Sequence, residues 1–207
     1  MQRLRVKYTK EEEIKYISHH DLMRVFERTI RRAEIPIAYS QGYNPHMLIS
    51  YGPPLPLGCT SECEYLDLEI DGWTSISNIQ TKLKQNLPPG IKILEITLQP
   101  PKDKASSIQE QTKSFSYSVI FNPEAKAQVE KQNAQILSAK DLYIEREGKN
   151  GKKKINLNEF LLELKIEGQT LIFTLKNTEK GTLKPSEIIS LFTEISFSRL
   201  HRQKLGF

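Results

Sequence analysis

Cysteine, histidine and long apolar runs are what this sequence has least of. Two cysteines in 207 residues, Cys59 and Cys63, cannot staple a disulfide scaffold and fit a reducing compartment. Their C-x3-C spacing opens an iron–sulfur signature of the form C-x3-C-x2-C, but the third position is Leu66, so that motif is absent. The surrounding run, "CTSECEYLDLEI", alternates like a strand, on which residues four apart stand about 13 Å from each other and cannot share one metal. Both cysteines therefore read as structural thiols. The histidines are His19, His20, His46 and His201. Adjacent His19 and His20 point in different directions on a helix, and no metal or cofactor is expected. No stretch of about 18 apolar residues exists to span a membrane. The start, "MQRLRVKYTKEEE", lacks the apolar region of a signal peptide, so a cytoplasmic location is expected.

What is present begins with charge. Thirty basic and twenty-five acidic residues give a net +5, a mild excess that permits an anionic partner. Residues 1–34 hold nine Lys/Arg against six Asp/Glu, residues 35–100 three against six, and residues 101–207 eighteen against thirteen. The excess thus lies toward the two ends of the chain.

"LRVKY" alternates as a first strand. Ser18, with Asp21 three residues on, marks the start of a helix whose Leu22, Phe26 and Ile30, flanked by Met23 and Ala33, form an apolar stripe. Its other face carries Arg24, Arg28, Arg31 and Arg32. "IPIAYS" reads as a short strand, "EYLDLEI" as a clear one, residues 74–87 as a helix stopped by "PPG", and "IKILEITL" as a returning strand. The order is that of a ferredoxin-like split β-α-β-β-α-β unit. Inserted in it is "YSQGYNPHMLISYGPPLPLG", residues 39–58, too proline-rich for a central strand or a helix.

"QPPKDKASSIQEQTKS" is polar and proline-bearing. The expected organisation is therefore an α+β domain over residues 1–100, a linker over 101–113 and a second α+β domain over 114–207. The second half reads as a strand "FSYSVIF", a helix over 124–137, a hairpin with a basic tip, two strands about a Glu-Gly-Gln turn, and a last helix in "KPSEIISLFTEI". One form open to it is a degenerate ferredoxin-like repeat, although no sequence repeat is convincing. The tail "RLHRQKLGF" reads either as a docking strand or as a frayed end.

The arginine face, with Arg3, Arg5 and Lys7 on the preceding strand and Tyr39, Tyr43 and Tyr51 nearby in sequence, fits a phosphate track beside stacking platforms for RNA bases. Pro45, Pro53, Pro54 and Pro56 stiffen the inserted segment, and Gly42, Gly52 and Gly58 let it bend, as a recognition loop requires. Candidate RNA-binding residues are Arg24, Arg28, Arg31, Arg32, Tyr39, Tyr43 and His46. His19 and His46 are the candidates for general acid/base work. The structural alternative has His19 capping the helix, Tyr43 packing its ring and His46 bonding within the loop. Lys149, Lys152, Lys153 and Lys154 form a second basic cluster, read as a solubilising tip that can also reach phosphates.

"SHHDLMRVFERTIRRAEIPIAYSQGYNPHMLISYGPPLPLG" followed by "SECEYLDLEI" resembles the radical SAM-linked protein family, a bacterial domain of unknown function found beside or fused to radical SAM proteins. The match runs through most of residues 2–100. The family pattern tends to S-H-L-D and N-P-H-P, where this chain has His20 and Met47. The resemblance implies a radical SAM enzyme as partner, with this chain binding or presenting the substrate. Three functions remain open: a non-catalytic RNA-binding accessory module, a metal-independent RNA-processing enzyme, and a protein-docking subunit.

Overall fold

The computed structural model describes residues 1–101, 106–139, 141–148, 151–179 and 181–207. The chain divides into two compact units, Met1–Thr112 and Lys113–Phe207. Part of the stretch read as a linker, residues 102–105, lies outside the described residues, as do Lys149 and the side chain of Lys152. Among the described residues no helix is long and apolar enough to cross a membrane.

The first unit is built from β1 (Gln2–Lys10), α1 (His19–Arg32), β2 (Ile49–Tyr51), β3 (Thr60–Ile70), α2 (Ile76–Asn86), β4 (Ile93–Gln99) and a short α3 (Ile108–Gln111). Its strands lie in the order β4-β1-β3-β2, each pair antiparallel, which is the ferredoxin-like arrangement. Alternation divides the strand residues between two faces. Leu4, Val6, Leu66, Leu68 and Ile70 are fully buried in one core with Leu22, Phe26 and Ile30 of α1 and Ile79 and Leu83 of α2. Tyr8 meets Phe26 edge to face at 4.8 Å between ring centroids, a contact worth about 0.5–1.5 kcal/mol beyond burial.

Ser18 caps α1, its Oγ accepting from the Asp21 N–H at 3.1 Å, so the cap is the serine and not His19. The other end closes in a Schellman turn. The Ile35 N–H donates to the Ile30 carbonyl and the Glu34 N–H to the Arg31 carbonyl, with Glu34 at φ 48° and both isoleucines buried. Pro36 follows and cannot continue the helix. Lys82 Nζ donates to the Glu34 carbonyl at 3.1 Å, and Arg32 Nη2 to the Asn86 carbonyl at 2.7 Å, tying α1 to α2.

The second strand differs from the sequence reading. "IPIAYS" makes only isolated bridges, Ile37 to Ile70 and Tyr39 to Met47, while the continuous strand is Ile49–Tyr51, inside the proline-rich segment. Pro45 and Pro53 flank that short strand rather than interrupt it, so its backbone donors stay free to pair. Residues 106–112 pack with the first unit: Ile108 is buried and Ser107 caps α3 with a capping box.

The second unit holds β5 (Ser114–Phe121), α4 (Lys126–Ser138), a hairpin of β6 (Tyr143–Gly148) and β7 (Gly151–Asn156), then β8 (Leu161–Glu167), β9 (Thr170–Lys176), α5 (Pro185–Ile189) and β10 (Phe197–Gly206). Its strands run β10-β5-β9-β8, again all antiparallel. With the β6–β7 hairpin set aside, this is the same β-α-β-β-α-β plan in the same spatial order, so the repeat exists in topology without being visible in residue identity. The tail is a sheet strand, β10, in which Arg202 is buried with its Nη2 donating to the Tyr117 hydroxyl at 3.0 Å. The last helix is shorter than its sequence pattern, ending at Ile189.

Candidate functional site

At about 100° per residue, Arg24, Arg28 and Arg31 fall within about 60° of one another on α1, opposite the buried stripe. All three are exposed. Arg24 Nη1 lies 3.3 Å from Asp21 Oδ1, an exposed pair with little net strength that an incoming phosphate can displace. Arg32 is exposed too, but its bond to Asn86 places a cation on the C-terminal carbonyls of α2, so it braces the helix pair.

Arg3 and Arg5 do not join this track. They share the sheet face away from α1, where Asp67 binds both: Arg3 Nη2 to Oδ2 at 2.6 Å and Arg5 Nε to Oδ1 at 2.8 Å. Arg3 and Asp67 are buried, and Arg5 Nη1 donates to Gln111 Oε1 at 2.8 Å. Strand alternation puts these arginines on one face but does not say which face is open, and here the charge is buried and neutralised.

The inserted segment leaves β3 as a closed excursion. The Ala38 N–H donates to the Glu69 carbonyl at 2.7 Å, Leu48 N–H to Ala38 carbonyl at 2.8 Å, and Ser40 N–H to His46 carbonyl at 2.9 Å. His46 Nδ1 lies 2.8 Å from Ser40 Oγ, and Ser40 Oγ accepts from the His46 N–H at 3.1 Å. His46 thus holds the loop shut from within. Met47, beside it, is buried and anchors the loop in the core. Tyr43, at the tip, is 100% exposed and Tyr39 is 44% exposed, so Tyr43 does not pack its ring on the protein. Further along, Gly52 brings its backbone against Tyr65, where a Cβ would meet the Tyr65 carbonyl oxygen at 3.0 Å, and Gly58 sits at φ 77°.

One aromatic escapes the sequence reading. Trp73, the only tryptophan, is 82% exposed on the turn after β3. That turn and the root of the loop are stitched together, the Asp71 N–H donating to the Pro36 carbonyl at 2.7 Å. The turn that bears Trp73 is therefore joined to the root of the loop that bears Tyr39 and Tyr43, a few residues past Arg31 and Arg32 at the end of α1. The available signal is a large apolar ring in the polar turn "DGW", where no core demands it.

His19 lies elsewhere, at the N-terminal end of α1, with its ring 6.0 Å from Tyr51 and 6.4 Å from His20. Tyr51 donates to the Met23 carbonyl at 3.3 Å, and burial pushes its phenol far above the ordinary range. Burial, then the charge of His20, hold His19 below the usual imidazole value, against the raising influence of nearby Glu64. Glu64 is itself buried and accepts from Ser61 Oγ at 2.7 Å. The structure thus groups His19 with Tyr51 and His20, while His46 belongs to the loop. Among the described residues no three His, Cys, Asp or Glu side chains converge as metal ligands. Both cysteines are buried thiols outside any disulfide.

Two solved structures illustrate what the chain is similar to. One, described as the crystal structure of a Cbf5–Nop10–Gar1 complex, aligns at 8% identity and a TM-score of 0.48, over 98% of this chain and 49% of that one. The other, described as the structure of an H/ACA RNP bound to a substrate RNA containing 2′-deoxyuridine, aligns at 10% identity and a TM-score of 0.44, over 98% and 47%. The chain spans about half the length of each. No protein of curated function matches the sequence. Residues 3–185 match the family described as an uncharacterized protein conserved in bacteria (DUF2344), and the chain belongs to that family.

Proposed function

We propose that this chain is a single-stranded RNA-binding accessory module without catalysis of its own. Arg24, Arg28 and Arg31 take the phosphates, while Tyr39, Tyr43 and Trp73 stack on unpaired bases. The observation that carries the reading is the fully exposed Tyr43 on a loop braced by His46, rooted where the arginine-bearing face of α1 ends. A solvent-exposed aromatic on a preorganised loop loses little entropy on binding, and every base offers it a π-face. The resemblance to radical SAM-linked proteins adds the partner: a radical SAM enzyme to which this chain presents the bound RNA.

The test is to purify the chain without added nucleic acid and to sequence any RNA retained through a moderate-salt wash. A defined RNA species, lost in Arg24→Glu/Arg28→Glu, supports the reading. Clean protein that binds no single-stranded RNA even at low salt refutes it and favours docking of a protein partner through Tyr43.

A second reading draws on His19, whose depressed pKa keeps it neutral near pH 7, as a general base needs. It predicts RNA cleavage in the presence of chelator, abolished in His19→Ala.

A further inference from the structure

β4 is the outer strand of the first unit: β1 pairs with one of its sides, and among the described residues no strand pairs with the other. Exposed edges usually carry a device against pairing, such as a lysine, a proline or an irregular backbone. Ile93–Gln99 holds no lysine, proline or glycine, and Glu95 is its single charge. One register shift lies between Ile93 and Glu95, which leaves Glu95–Gln99 as five regular residues. Leu98 shares the core face with Ile96 and yet is 61% exposed.

The register settles which backbone groups face outward. Glu69 of β3 bonds away from β1, its N–H donating to the Leu48 carbonyl and its carbonyl accepting from the Ala38 N–H, so Leu66 and Leu68 bond toward β1. Their partners there are Val6 and Leu4. Arg3, Arg5 and Lys7 therefore bond to the other side, where they meet Gln99, Thr97 and Glu95. The N–H and carbonyl groups of Ile96 and Leu98 are left pointing out of the sheet. The Leu98 carbonyl accepts from the Gln99 side chain, Nε2 to O at 3.1 Å, an exposed stand-in for a neighbouring strand. Among the described residues no backbone group pairs with Ile96 on that side.

The edge is complementary to itself. In an antiparallel pair, outward groups must meet outward groups, which leaves few registers for a second β4. A two-fold centred on Glu95 sets two carboxylates opposite each other, one centred on Ile96 runs Leu98 against the irregular Leu94, and one centred on Leu98 sets Ile96 opposite Pro100, which has no N–H. A two-fold centred on Thr97 uses only the five regular residues. It sets Thr97 opposite Thr97, Ile96 opposite Leu98 on one face, and Glu95 opposite Gln99 on the other. The exposed leucines are then covered, and the Gln99 amide, displaced from the Leu98 carbonyl by the incoming strand, is free to donate to the Glu95 carboxylate.

We propose that β4 pairs antiparallel with the β4 of a second copy of this chain, about a two-fold axis at Thr97, so that the two edges close each other. The inference uses none of the residues assigned to RNA binding.

Sedimentation velocity of the full chain over a concentration series tests it. The mass should rise from one chain to two. Leu98→Lys sets a charge opposite Ile96 of the other copy at both ends of the ladder, and should raise the dimer dissociation constant about tenfold or more. Leu98 is exposed, and a far-UV circular dichroism spectrum matching the parent confirms that the variant is folded. A second variant reads the register. Thr97→Cys places two thiols on the axis, where the Cα separation of about 4.5 Å in a non-hydrogen-bonded pair lies within reach of a disulfide. Mild oxidation should give a cross-linked dimer on a non-reducing gel, lost when Leu98→Lys is added, while the parent, whose cysteines are buried, should give none. A chain that sediments as one copy at every concentration, a dimer that Leu98→Lys leaves intact, or no cross-link through Thr97→Cys overturns the inference.

Discussion

Asp67 is the most exacting single residue of the first unit. Its carboxylate is shared by Arg3 and Arg5, and Arg3 is buried with its Nη1 lacking a hydrogen-bond partner among the described residues. Removing the acid leaves Arg3 with only Glu69, whose Oε1 stands 3.9 Å from its Nε, and leaves Arg5 with no ion pair among the described residues. Asp67→Asn should therefore cost about 3–5 kcal/mol, measured by urea denaturation, because breaking one side of a buried pair strands the other. His19 offers a second test at this scale. Its folded pKa lies below the ordinary 6.5, so the unfolded chain binds the proton more readily. The stability that neutral His19 contributes is present above that value and is lost as pH falls through it. The urea midpoint of the parent should drop between pH 7 and pH 5, and His19→Gln should flatten that dependence. An identical slope in the variant would remove His19 from the account.

At the scale of elements, α1 is the member whose sequence and structure agree most closely. Its Ser18 cap, its apolar stripe and its arginine face are all set by local rules of spacing, and they were readable for that reason. Its end was not, because a glutamate stands where glycine is the usual residue. Glu34 holds a left-handed φ of 48° that its Cβ makes unfavourable. Glu34→Gly should raise stability by about 0.5–1 kcal/mol, since the carbonyl that accepts from Lys82 is kept and only the backbone penalty is removed. Thermal denaturation reads this directly. The second strand was illegible for a different reason: its pairing goes to three residues between prolines, while the more strand-like "IPIAYS" is diverted into the root of the loop by the Schellman turn. Arg3 and Arg5 could be assigned to one face of a strand, but burial depends on residues far away in sequence. Trp73 carried a signal that only its exposure makes plain.

At the scale of the whole molecule, the same β-α-β-β-α-β plan occurs twice, and each copy carries its insertion at the same place, after its first helix. In the first unit the insertion is the loop with Tyr43 at its tip; in the second it is the β6–β7 hairpin. Both insertions thus lie where the plan tolerates added chain without disturbing the sheet, and the loop proposed to bind RNA is one of them. The central claim is that the outer face of α1 binds RNA phosphates. The measurement that tests it most directly is the salt dependence of affinity for a fluorescent single-stranded RNA, in the parent and in Arg24→Gln/Arg28→Gln. Loss of two phosphate contacts should make the slope of log K against log salt shallower by about 1.4, at about 0.7 per contact on single strands. An unchanged slope and affinity in the variant would contradict the account.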